Sequence, residues 1–249
     1  MATILQRSVK GKEYHYLSYS YREKGKVLKK EKYLGNEIPP SDEMHRIWEE
    51  FSEEIVEERW LPIIEEIKEH YQRIFENTPV NINKKNLRNF GIHFTHNTNK
   101  IEGSSLTLRD VKRVLEDDKL PKNRKPNDVI ETKSHMILYE EMLETEVQLT
   151  TDLIRKWHKK MFRLTEPNIA GFIRDYPVGI SGSDYEPPYS KIEIEGLLNR
   201  LFRWYRANKE RYHPVFVASV MHYRFIAIHP FGDGNGRMTR LMTNYILHK

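Results

Sequence analysis

Cysteine is absent from the 249 residues. That excludes a disulfide frame, a thiolate metal site and a cysteine nucleophile. No apolar run reaches the roughly 18 residues that a membrane helix needs. The first residues, Met1-Ala2-Thr3-Ile4-Leu5-Gln6-Arg7, meet charge too early for a signal peptide. The expectation is a cytoplasmic protein with no membrane association. There is no internal repeat. A large charge of one sign is also missing. The net charge is +5 with 31% charged residues, which permits an anionic partner without demanding one. What the chain does have is 38% apolar residues, with 14 Tyr, 10 Phe and 4 Trp, enough for a real core.

The densest chemistry lies in Ile228-His229-Pro230-Phe231-Gly232-Asp233-Gly234-Asn235-Gly236-Arg237-Met238-Thr239-Arg240. The glycines are expected to take positive φ and let the backbone approach a ligand. Successive N–H groups there form an anion cradle, and the helix predicted to follow turns its positive end to the same place. Arg237 and Arg240, at i and i+3, share a face near that end. Their guanidinium forks suit the phosphates of a polyphosphate. Asp233 offers an oxygen to a Mg²⁺ that bridges phosphates. His229 titrates near neutrality and can take a proton from an attacking hydroxyl. No Gly-Lys-Ser/Thr follows the glycines, so this is not a Walker-A loop.

His229, Phe231, Asp233, Gly234, Asn235, Gly236, Arg237 and Arg240 match every fixed position of His-x-Phe-x-Asp/Glu-Gly-Asn-Gly-Arg-x-x-Arg. The chain thereby resembles the Fic family, over roughly residues 88–249. Upstream, Thr98-Asn99-Lys100-Ile101-Glu102-Gly103 resembles that family's inhibitory motif, Ser/Thr-x-x-x-Glu-Gly/Asn. Thr98 and Glu102 share a helix face, and Gly103 is placed as a helix-ending residue. The resemblance implies that Glu102 pairs with Arg240 and blocks the γ-phosphate. It puts the chain in the class whose inhibitory helix precedes the core.

The rest of the chain fills in the frame. From Lys12 to Gly35 the tyrosines and lysines read as a hairpin turning at Glu23-Lys24-Gly25-Lys26. That sheet either packs its tyrosines on the next helix or stacks nucleic-acid bases on them. Pro39 and Pro40 end the sheet, and Ser41 is read as a helix cap. Helical spacing runs from Ser41 to about Glu76, with Pro62 starting a new helix or kinking this one. Helix resumes from Asn86. Further amphipathic helices follow from Leu108, Asp128, Asp152, Ile192 and Pro214. His135 and His158 lie alone on such helices and read as structural. Residues 169–188 form a loop in which Gly-x-x-Arg and Val178-Gly179-Ile180 resemble the family's flap, a short hairpin. It either docks a target segment by backbone pairing or simply connects helices. The sequence stops at Lys249, nine residues after Arg240, so the helix over Met238 to His248 is expected to be the last element.

The fold expected is therefore mainly α. It is a Fic-type helical bundle with a short β-hairpin flap, plus a small N-terminal β-sheet appendage. Residues 1–37 form the appendage and 38–85 a helical linker. Residues 86–249 form the Fic domain, with the inhibitory helix at about 90–103. The resemblance implies AMP transfer from ATP to a Ser, Thr or Tyr hydroxyl of a target protein. In it His229 is the base and Asp233 the Mg²⁺ residue. Gly234, Asn235, Gly236, Arg237 and Arg240 hold phosphate, and Thr98, Glu102 and Gly103 are inhibitory. Homodimers occur among Fic proteins. Two other functions remain open from the sequence: removal of AMP with Glu102 positioning a water, and a nucleotide-binding protein associated with nucleic acid.

Overall fold

The computed structural model describes residues 3–180 and 182–249. The expected N-terminal appendage includes Met1 and Ala2, and the expected flap includes Ser181; these three lie outside the described residues. The chain forms two compact units, Met1–Phe75 and Glu76–Lys249, the first described from Thr3 onward.

In the first unit, β1 (Thr3–Val9), β2 (Lys12–Glu23) and β3 (Lys26–Gly35) make an antiparallel meander in the order β1-β2-β3. Each connection is a two-residue turn with positive φ at both positions, 49° and 77° at Lys10-Gly11, 46° and 81° at Lys24-Gly25. Such turns match the twist of the strands they join. The hairpin expected over Lys12–Gly35 gains a further strand, β1, because Lys10-Gly11 forms a tight turn although Lys-Gly is a weaker turn signal than Asn-Gly. The helix α1 (Ser41–Arg59) packs on this sheet through Leu17, Phe51 and Ile55, surrounded by Tyr19, Leu34, Met44 and Ile47. Ser41 is inside the helix rather than its cap, because the Pro40 carbonyl already accepts from Met44 N at 2.8 Å. The next helix, α2 (Leu61–Glu76), has Pro62 in its first turn, where no backbone donor is needed.

The second unit is helical. It comprises α3 (Val80–Ile101), α4 (Leu108–Glu116), α5 (Pro126–Glu144), α6 (Thr151–Phe162), α7 (Lys191–Asn208), α8 (Pro214–Ile228) and α9 (Asn235–His248). The α3 helix starts six residues before the expected Asn86, directly after Pro79, which fixes φ for the entry. Thr107 and Asp110 close a reciprocal capping box at the start of α4. The core holds Trp157, Phe162, Phe202, Phe225, Phe231, Met238 and Leu241, each at most 2% exposed. The α9 helix packs against α8, α5, α3 and α6, so its first turn sits amid most of the unit.

The expected flap hairpin is an irregular extended loop with no ladder among the described residues of 172–190. Pro177, Pro187 and Pro188 carry no N–H to donate, and a lone two-stranded ribbon is marginal in water. Among the described residues no helix is long and apolar enough to cross a membrane.

Candidate active site

The site begins where α8 stops. His229 N donates to Phe225 O at 3.0 Å, and His229 itself turns left-handed, at φ 50° and ψ 59°. Pro230 then prevents the helix from continuing. A left-handed non-glycine residue is strained and persists only where its surroundings over-determine it. Here Arg174 does so. Its Nε donates to His229 O at 2.7 Å and its Nη2 to Ile228 O at 3.5 Å. Its backbone N donates to Pro230 O at 3.0 Å. The same guanidinium reaches Tyr176 O at 2.5 Å and Pro188 O at 2.6 Å, joining both legs of the flap loop to the His229 backbone. Arg174 is 3% exposed, and burial pulls its pKa down. The sequence marked it only as part of the flap signature.

The His229 imidazole is oriented by its Nδ1, 3.2 Å from Ile226 O. A carbonyl only accepts, so Nδ1 carries the proton and Nε2 keeps its lone pair. Burial lowers the His229 pKa most. The Ile226 carbonyl opposes this, Arg174 adds to it, and Glu102 and Asp233 oppose it. The net shift is downward, so the ring is neutral and basic at neutral pH.

The loop after His229 is held by two side chains. Phe231 is buried and stacks on His158, centroids 3.8 Å apart and planes 17° apart. His158 Nδ1 accepts from Gly171 N at 2.9 Å, so its Nε2 donates to Asp233 O at 2.9 Å. Burial pushes this pKa to about 4, and the clamp requires the neutral ring. Asn235 brackets Phe231, with Oδ1 accepting from its N at 2.9 Å and Nδ2 donating to its O at 2.8 Å. The Asn235 amide is therefore committed to the loop, which leaves its backbone N–H for a ligand.

Of the three motif glycines only Gly234 has positive φ, 75°, correcting the expectation that all three would. A Cβ there would also run into the Phe162 ring. Gly232 and Gly236 supply space instead. A Cβ on Gly232 would meet the Tyr176 hydroxyl, and one on Gly236 the Glu102 carboxylate. No side chain caps α9, so its first amides, of Asn235, Gly236 and Arg237, lack intrahelical carbonyls, an arrangement that suits an anion.

The two motif arginines part company. Arg237 is 4% exposed and turned inward. It pairs with Glu131 of α5 and, at 2.9 Å, with Asp233, its Cζ lying 4.6 Å over the Phe162 ring. Arg240 turns to α3. Its Nε donates to Thr98 Oγ1 at 2.6 Å, and its Nη2 to Glu102 Oε1 at 2.6 Å and Thr98 O at 3.3 Å. They do not present two parallel forks. Gly103, at φ 88°, turns the chain just past Glu102. Beneath this contact runs a buried polar layer between α3 and α5. Thr95 Oγ1 is 2.8 Å from His135 Nδ1, and Asn99 Nδ2 donates to Thr132 Oγ1 at 3.4 Å. Burial, with Arg237 and Arg240 nearby, lowers the His135 pKa to about 3.

Glu131 is a site residue that the motif does not contain. The available signal was a run of polar residues, Glu131, Thr132 and His135, interrupting the apolar side of α5. In the flap, Val178 and Ile180 are half-buried and Gly179 is exposed.

Residues 148–247 match the sequence profile of the Fic/DOC family. A Fic domain containing signaling protein from Bacteroides thetaiotaomicron VPI-5482 has the same fold, with a TM-score of 0.65 at 30% identity. The match covers 73% of this chain and 72% of that one. The chain belongs to the Fic/DOC family. It is also similar to the protein adenylyltransferase Fic of Nematostella vectensis, 32% identical over 164 residues, covering 62% of this chain and 36% of that one. The protein of that name from Drosophila melanogaster is 28% identical over 159 residues, covering 62% and 32%. The chain thus spans about a third of the length of these curated relatives. Fic-1 from C. elegans, at 20% identity and a TM-score of 0.66, shares the fold over 84% of this chain and 63% of its own.

Proposed function

We propose that this chain is a protein adenylyltransferase that moves AMP from ATP to a Ser, Thr or Tyr hydroxyl of a target protein, held off by Glu102. The observation that carries this reading is a neutral His229 with a free Nε2, one short loop before an uncapped helix start. The target hydroxyl oxygen attacks the α-phosphorus while His229 Nε2 takes its proton. The bond from the α-phosphorus to the bridging oxygen breaks, and pyrophosphate leaves. The amides at the start of α9 receive phosphate oxygens, and the positive end of the helix stabilises the charge that builds there.

Asp233 suits a Mg²⁺. Its side chain is 54% exposed, and one carboxylate is a usual protein contribution to a Mg²⁺ that takes its other ligands from phosphates and water. When bound, that ion neutralises phosphate charge. Asp233 is already positioned by Gly234 N at 2.6 Å and by Arg237. Arg240 is the residue for the γ-phosphate, and it now holds Glu102 instead. Val178, Gly179 and Ile180 are the segment for docking the target chain by backbone pairing.

The test is label transfer from α-labelled ATP with Mg²⁺. His229→Ala should abolish it while leaving the fold intact by circular dichroism. Transfer at the wild-type rate would remove the base from the scheme.

A further inference from the structure

The N-terminal sheet has two chemically different faces, and the proposed AMP transfer uses neither. Its inner face meets α1. Leu17 packs on Phe51 and Ile55, Lys30 reaches Glu58 at 2.6 Å, and Lys32 reaches Glu50 at 3.2 Å. Tyr19 also belongs here, accepting from Arg59 Nη1 at 3.1 Å, with the Arg59 guanidinium 3.9 Å over Tyr21. These two tyrosines pack on the helix, the first of the two uses the sequence left open.

The outer face carries the other tyrosines. Tyr16 and Tyr33 are cross-strand neighbours with centroids 5.4 Å apart, and Tyr14 lies 6.2 Å from Tyr33. Arg7 covers Tyr16 at 4.9 Å. Tyr33 is 56% exposed. This contiguous, partly exposed aromatic stripe lies on the face opposite α1, so packing on that helix does not account for it.

Charge is concentrated in the same place. From Thr3 to Gly35 there are nine Lys and Arg against three Glu, a net +6, whereas the whole chain is +5. Lys30 and Lys32 are neutralised by α1, and Arg7 and Lys29 share Glu31. Among the described residues, Lys10, Lys12, Arg22, Lys24 and Lys26 have no ion-pair partner. They stand at the two hairpin ends, separated by the twelve residues of β2, about 40 Å at some 3.3 Å per residue. An aromatic centre between cationic ends is what a strand with exposed bases needs: bases stack on the rings, and phosphates meet the lysines. A duplex keeps its bases stacked on one another and offers only their edges.

We propose that the outer face of the N-terminal sheet binds single-stranded nucleic acid, with bases on Tyr14, Tyr16 and Tyr33 and the backbone on the basic hairpin ends. This does not depend on the AMP-transfer reading.

The test is fluorescence anisotropy on the full chain with labelled oligo(U) and oligo(dT) of about 20 nucleotides, and a duplex of equal length, across a salt series. The single strands should bind more tightly than the duplex, with affinity falling as salt rises. Tyr33→Ala should weaken binding about tenfold, and Tyr33→Phe should restore most of it. Lys24→Gln with Lys26→Gln should weaken binding and flatten the salt dependence. All of these sites are exposed, so unchanged circular dichroism is the expected control, and His229→Ala should bind like wild type. No binding at 50 mM salt, equal or tighter binding of the duplex, or binding insensitive to both sets of variants would overturn the proposal.

Discussion

Arg237 and Arg240 stand three residues apart on one helix and live in opposite settings. Arg237 is sealed between Glu131, Asp233 and the Phe162 ring, with 4% of its side chain exposed. Arg240 lies at the mouth of the site, 23% exposed against a Glu102 that is 26% exposed. Breaking a buried pair strands a desolvated charge, at about 3–5 kcal/mol. Exposed pairs are worth at most about 1 kcal/mol, and the Arg240 contact falls nearer that end. The difference shows one motif putting its two arginines to unlike uses. The inner one ties the loop to α5, and the outer one holds a more open contact with Glu102, the contact the proposed gate depends on.

The sharpest attempt to break this contrast is Glu131→Ala. It should lower stability by about 1–3 kcal/mol in urea unfolding, because Arg237 stays buried with only the half-exposed Asp233 left to pair it. A loss below 1 kcal/mol would put both arginines in the same class. Next is Arg174→Ala, which removes four carbonyl contacts around His229 and the flap loop. AMP transfer should fall about 100-fold through kcat, as expected when a catalytic group is misplaced by an ångström or so. An unchanged kcat would show that the left-handed turn holds itself.

Lowering pH probes the fixed part through its histidines. His158 and His135 are neutral in the fold, with pKa values near 4 and 3, while the unfolded chain protonates them near 6.5. The unfolded state then binds more protons below pH 6.5, so their contribution is complete above that value. It drains away as pH falls towards 4. Thermal unfolding should therefore shift down steadily from pH 7 to pH 4.5, and replacing His158 with Gln should flatten the slope. A wild-type midpoint constant across that range would contradict the neutral clamp.

These particulars also mark how far the sequence could be read. His229 to Arg240 was legible because twelve consecutive residues carry the chemistry. Thr98 and Glu102 were legible through resemblance, and the structure brings both to Arg240. His158 was legible as structural, but the partners of Glu131, Arg174 and His158 were not, because each lies 55 to 106 residues away. A lone Glu, Arg or His on a helix or loop looks the same in sequence whether it is solvated or clamping. The glycines were misread for a related reason. Backbone freedom is a local property, whereas Gly232 and Gly236 answer to Tyr176 and Glu102, placed only by the tertiary fold. The flap failed as a hairpin because its prolines and the Arg174 side chain replace ladder bonds, which a motif match does not reveal.

The most direct measurement of the proposed gate is self-labelling of wild type and Glu102→Gly by α-labelled ATP with Mg²⁺, run beside urea unfolding of both. Releasing Arg240 should raise labelling about tenfold or more, within the range of ordinary coupling energies, while stability changes by less than about 1 kcal/mol. Equal labelling of the two proteins, at equal stability, would contradict a site held off by Glu102.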